Sequence, residues 1–137
     1  MPKYRDKMRL KRYIMKHGEC DTLTEYLICK GFSDKIVESG LEIFVGSWEE
    51  AVIWAVGNYD SADIEYDLYQ RATLRQVLKH ASPEQIAPFA ERIEKADNYY
   101  KEHTVEDNTP YESYIDEKLD RKVHWWLFRS PKIGPGK

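Results

Sequence analysis

Apolar residues recur every three to four positions along most of this chain, the period of a helix with one buried face. The clearest run is SADIEYDLYQRATLRQVLKH, residues 61–80. Wound at about 100° per residue, it gathers Ile64, Leu68, Ala72, Leu74, Val77 and Leu78 on one stripe. Arg71 and Arg75 fall in the middle of that stripe, with Asp67 beside them. A charge at the centre of an apolar face requires a partner, because an unpaired buried charge is costly.

The same period continues on either side. Residues 3–17 predict a helix with Leu10, Tyr13, Ile14 and His17 on one face. Asp21 or Thr22 caps a second helix that stops at Gly31, and Ser33 opens a short third one that ends near Gly40. Leu41–Val45 reads as a connector or helical turn, since a lone strand has nothing to pair with. Ser47-Trp48-Glu49-Glu50 has the pattern of a capping box, and Gly57 closes the helix it opens. That helix is apolar almost all round, which predicts burial on most sides. Ser82-Pro83-Glu84-Gln85 starts the next helix, whose stripe is Ile86, Phe89, Ala90, Ile93, Ala96 and Tyr100. Pro88 is expected to kink it or delay its regular start. Thr109-Pro110-Tyr111-Glu112 repeats this cap pattern and predicts a last helix over 110–128.

These elements predict an all-α fold: a single-domain bundle of about six helices around a central antiparallel hairpin, 62–80 against 83–102. Residues 1–17 read as a basic helix or arm, 18–130 as the helical domain and 131–137 as a flexible tail. In the hairpin Asp97 lies level with Asp67 and about one turn from Arg71. Asp67, Arg71, Arg75 and Asp97 therefore form one expected network, with Arg71–Asp97 as its bond across the helices. Such a network serves either to fix the register of the hairpin or to hold an anion, two arginines gripping a carboxylate or phosphate.

Composition narrows the function classes. At 42% hydrophobic the chain is not of the disordered type. No apolar run is long enough to span a membrane and no signal-peptide pattern opens the chain, so a cytoplasmic protein is expected. Cys20 and Cys29 fit no zinc or redox spacing and read as reduced thiols. His17, His80, His103 and His124 are scattered, so neither a metal nor a cofactor is expected. The serines are spent as helix caps, which leaves no evident nucleophile.

Charge is unevenly distributed. Residues 1–17 carry seven Lys/Arg and one acid; the remaining 120 carry fourteen basic and twenty-three acidic residues. Lys3, Arg5, Lys7, Arg9, Lys11 and Arg12 offer a nucleic-acid contact, or a solvated helix lying on the acidic body. Residues 84–120 hold eleven acids and four Lys/Arg, with Tyr99, Tyr100, Tyr111 and Tyr114 in or beside them. An acidic surface bearing tyrosines suits a basic protein partner. The function expected on these grounds is a small acidic protein-binding module, such as an immunity protein or antitoxin that inhibits a basic enzyme.

One further motif points to catalysis. Arg75-Gln-Val-Leu-Lys-His80 resembles the Arg-x4–6-His element of the HEPN superfamily, all-helical proteins that include metal-independent ribonucleases. The resemblance covers six residues and implies that Arg75 and His80 act in RNA cleavage. Gln76 stands where that family usually has Asn, Asp or His. On a regular helix, positions five apart point about 140° apart, so Arg75 faces inward and His80 outward.

Overall fold

The computed structural model describes residues 4–57, 61–109, 111 and 117–132. Helix α1 (Tyr4–His17) lies against α2 (Thr22–Cys29). The guanidinium of Arg9 holds it there, donating to the Phe32 carbonyl at 2.6 Å and to Asp34 at 2.9 Å. Asp21 caps α2 by accepting from the Thr24 amide at 2.7 Å. Gly31, at φ +88°, ends it: the Phe32 amide reaches back to the Leu27 carbonyl and the Gly31 amide to Ile28. That pair of bonds needs a left-handed residue between them, which favours glycine. Ser33 then caps the short α3 (Asp34–Ser39).

Helix α4 (Leu41–Gly57) is longer than the cap pattern predicts. Leu41, Phe44, Val45, Trp48, Ala51, Val52 and Ala55 are all buried, one unbroken stripe at helical spacing. Extending that stripe backwards through Leu41 outweighs a cap at Ser47. The Ser47 hydroxyl instead donates to the Ile43 carbonyl one turn earlier, at 2.8 Å.

Helix α5 (Ser61–Leu78) follows, then α6 (Pro83–Ile86), a 3₁₀ turn at Ala87–Phe89, and α7 (Ala90–Glu102). The capping box at Ser82 is complete, with reciprocal bonds to Gln85 of 2.8 and 3.2 Å. Pro88, lacking an amide hydrogen, sits in the 3₁₀ turn that separates α6 from α7. Counting 83–102 as one bent helix, the described residues form a bundle of six helices with one small sheet.

Packing centres on α4. It lies closely against both α5 and α7, so α4, and not the 62–80/83–102 pair, supplies the middle of the bundle. Arg92 of α7 adds a fork onto Glu49 and Glu42 of α4, with N–O distances of 2.6 to 3.0 Å. Trp48, nine residues before the end of α4, lies beside Arg71, ten residues into α5. The matched depth means that α4 and α5 run antiparallel.

The C-terminal part departs from the expected helix over 110–128. Residues 110 and 112–116 lie outside the described residues. From Asp120 onward the chain is a turn, a 3₁₀ turn at Trp125–Phe128 and a short strand. Asp120 shapes this turn. Its carboxylate accepts from the Lys122 and Val123 amides at 2.9 and 3.1 Å, and its carbonyl accepts from the His124 amide at 2.7 Å. Aspartate competes in this way with helical bonding. Strand β1 (Thr104–Glu106) pairs antiparallel with β2 (Arg129–Pro131), Val105 opposite Ser130. Neither strand was expected from the sequence, and Pro131 of the expected tail belongs to β2.

Candidate functional site

Side chains on α5 and α7 converge first on a buried clasp. Arg71 donates through Nε and Nη2 to the two oxygens of Asp97, at 2.9 and 3.1 Å. The Trp48 indole donates to the same carboxylate at 2.9 Å. Both charged side chains are largely enclosed, 11% and 16% exposed. The Arg71 guanidinium is surrounded by the rings of Trp126, Trp125 and Trp48, at 4.8, 5.9 and 6.0 Å. Cation–π attraction and a bidentate bond together hold this charge away from water. Asp67 is half-buried one turn back on α5.

Arg75 belongs to a different cluster, centred on Glu117. Arg75 Nε, Gln76 Nε2 and His124 Nε2 meet one oxygen of that carboxylate at 2.9, 3.1 and 2.9 Å, and Lys79 approaches the other at 3.5 Å. The Arg75 bond, then the His124 bond, holds the Glu117 carboxyl down at about 2. The Asp120 amide donates to His124 Nδ1 at 3.0 Å, so the ring proton sits on Nε2 and points at Glu117. Both nitrogens of this buried histidine are thereby spent. Glu117 and His124 form a pin between the C-terminal segment and α5, and offer no free acid or base. Neither was singled out from sequence, because a helix over 110–128 would have pointed both at solvent.

Beside the pin lies a cleft of about 340 Å³ walled by Tyr26, Phe32 and Tyr69, with Lys30 at its side. The HEPN-like pair does not converge there. Arg75 faces this cleft, whereas His80 stacks on Tyr26 at 3.9 Å and borders a separate hollow next to Ser82. Among the described residues no group of three His, Cys, Asp or Glu side chains is placed to hold a metal ion.

The expected partner-binding tyrosines divide. Tyr100 is fully buried, its hydroxyl donating to the Trp126 and Arg129 carbonyls, and burial pushes its phenol above the usual range. It contacts the core and not a partner. Tyr111 is half-buried against that core, Tyr99 is exposed and stacks on His103, and Tyr114 lies outside the described residues. Of the basic segment, Lys3 lies outside the described residues and Arg9 is committed to Asp34; Arg5, Lys7, Lys11 and Arg12 are exposed.

A surface that the sequence reading had buried carries exposed aromatic area instead. On α4, Ile53 and Trp54 are 60% and 63% exposed, and on α5 Tyr66 is 69% exposed. Five residues from the Trp48–Arg71 contact, moving toward the α4–α5 junction on each helix, put Ile53 level with Tyr66. The three side chains therefore share one end of the antiparallel pair. Residues 41–70 contain seven Asp/Glu and not one Lys or Arg. The most acidic uninterrupted segment and the largest exposed apolar side chains coincide.

No family model, curated protein or solved structure matches the chain. What the fold and its surface define is a class: an all-α bundle with a pinned polar interior and exposed aromatic side chains on α4 and α5.

Proposed function

We propose that this chain is an acidic protein-binding module that docks a basic partner protein on the α4–α5 face, as immunity proteins and antitoxins dock the enzymes they inhibit. The observation that carries the reading is that Ile53, Trp54 and Tyr66 are exposed at one end of α4 and α5, in a segment whose sequence holds seven acids and no base, with Glu42 and Glu49 of these paired to Arg92 of α7. Exposed Trp and Tyr side chains are the usual anchors of protein interfaces, since each buries a large area at little conformational cost. Fixed negative charge around them favours and speeds encounter with a positive surface. The spent histidine and carboxylate of the Glu117 pin support a binding role over a catalytic one.

The test is a titration of the purified partner, identified by capture or by gene neighbourhood, against wild type and Trp54→Ala. Truncating a central anchor costs about 2 kcal/mol, or roughly 30-fold in Kd. Wild-type affinity in both Trp54→Ala and the double variant Trp54→Ala/Tyr66→Ala would remove the reading. Sedimentation showing that wild type dimerises and Trp54→Ala does not would assign the face to a second copy instead.

A further inference from the structure

Another face of α5 carries a second hollow, which shares Arg75 with the cleft beside Tyr26. Its volume is about 260 Å³, and its described lining is Arg71, Arg75, Lys79 and four apolar or indole side chains, among them Leu78, Trp125 and Trp126. The three cations stand four residues apart, so they rise along one face as a ladder. No acid is among the described lining residues.

Donor capacity remains on that ladder. Arg71 uses Nε and Nη2 on Asp97, and Arg75 uses Nε on Glu117. Among the described residues, nothing accepts from Arg71 Nη1 or from either Nη of Arg75. Lys79 is only loosely held, at 3.5 Å from Glu117 and 46% exposed. The adjoining Trp126 carries a buried indole N–H with no acceptor among the described residues, an unusual state for a buried polar group. Lys101 sits on the ring of Trp125 at 4.6 Å. Among the described residues Asp97 and Glu117 pair with these cations, and neither Asp67 nor any other carboxylate lines the hollow itself. Among the described residues the wall is rich in donors and holds no carboxylate.

We infer that this hollow is a binding site for a small phosphate ester, with the phosphoryl oxygens on Arg75, Lys79 and Arg71 Nη1 and the organic group against Leu78 and Trp125. Arginine forks and a lysine point charge are the side chains that suit phosphate. The volume lies just under the roughly 300 Å³ at which drug-sized pockets begin, which favours a compact ligand. Glu117 sets the affinity, because it already holds Arg75 and Lys79 and competes with a ligand for them.

The experiment is a titration of the full chain with inorganic phosphate and with phenyl phosphate at constant ionic strength, read by tryptophan fluorescence. Both ligands are expected to saturate, with phenyl phosphate tighter. Lys79→Met should weaken both about ten-fold, the worth of one charged hydrogen bond. Glu117→Gln should tighten both several-fold, a direction that damage to the fold would not produce. Lys95→Met, an exposed lysine of α7 paired with Glu91, should change nothing. Absence of saturation, an equal response to chloride, or wild-type affinity in Lys79→Met would each overturn the assignment.

Discussion

Arg71 is held by two bonds to Asp97 and enclosed by three indoles, and the energetics of that arrangement are asymmetric. A buried pair adds little over a well-packed apolar replacement of both partners, but removal of one partner strands the other charge. Arg71→Met should therefore destabilise by about 3 kcal/mol, near the low end of that range because Asp97 keeps its bond from Trp48. Urea unfolding measures it, and an unchanged midpoint would show that the guanidinium is not a structural element. Glu117 gives a pH-dependent counterpart. Its folded pKa, about 2, lies below its unfolded value, so its contribution is present above roughly pH 4.5 and fades as pH falls toward 2. Glu117→Gln should be less stable than wild type at pH 7, and the two denaturation midpoints should merge near pH 2. Arg71 and Asp97 were legible in the sequence because each interrupts an apolar stripe. Glu117 and His124 were not, because their partners come from a segment whose path is set by the Asp120 turn.

Among the helices, local signals were read correctly where nothing larger opposed them. Ser82 and Ser47 begin similar four-residue patterns, yet only Ser82 is a cap. Ser82→Ala should cost about 1 kcal/mol, while Ser47→Ala should stay within about 0.5 kcal/mol of wild type, since alanine is the better residue inside a helix. Thermal melts of the two variants give the comparison, and an equal loss for both would mean that α4 begins at Ser47 after all. The difference lies upstream: Leu41, Phe44 and Val45 continue the buried stripe of α4 backward past Ser47, whereas the tight turn at His80–Ala81 leaves α6 nothing to extend. The two three-residue strands are the opposite case. Neither has a local signal, and each exists only because the other lies beside it.

Taken whole, the molecule separates its charges and its apolar exposure. The basic α1 is anchored by Arg9, the α4–α5 segment is acidic in sequence and exposes Trp54 and Tyr66, and another face of α5 borders a hollow lined by Arg71, Arg75 and Lys79. The acidic face predicts how partner binding responds to salt. Raising ionic strength from about 10 mM to 150 mM shortens the screening length from about 30 to 8 Å and should slow association about ten-fold, with little change in dissociation. Trp54→Ala should do the reverse, leaving association nearly unchanged and speeding dissociation. Stopped-flow mixing separates the two effects. Salt-independent association would argue against charge steering on this face.

The sequence by itself determined that the chain is helical, where most helices begin and end, and that Arg71 and Asp97 face inward, because these depend on spacing within a few turns. Only the tertiary structure decided that α4 is the central helix, that Trp54 is exposed and Tyr100 buried, and that Glu117 and His124 close against Arg75. An amphipathic stripe says that a face is covered but not by what, and a helix apolar all round does not say which side its neighbours leave open.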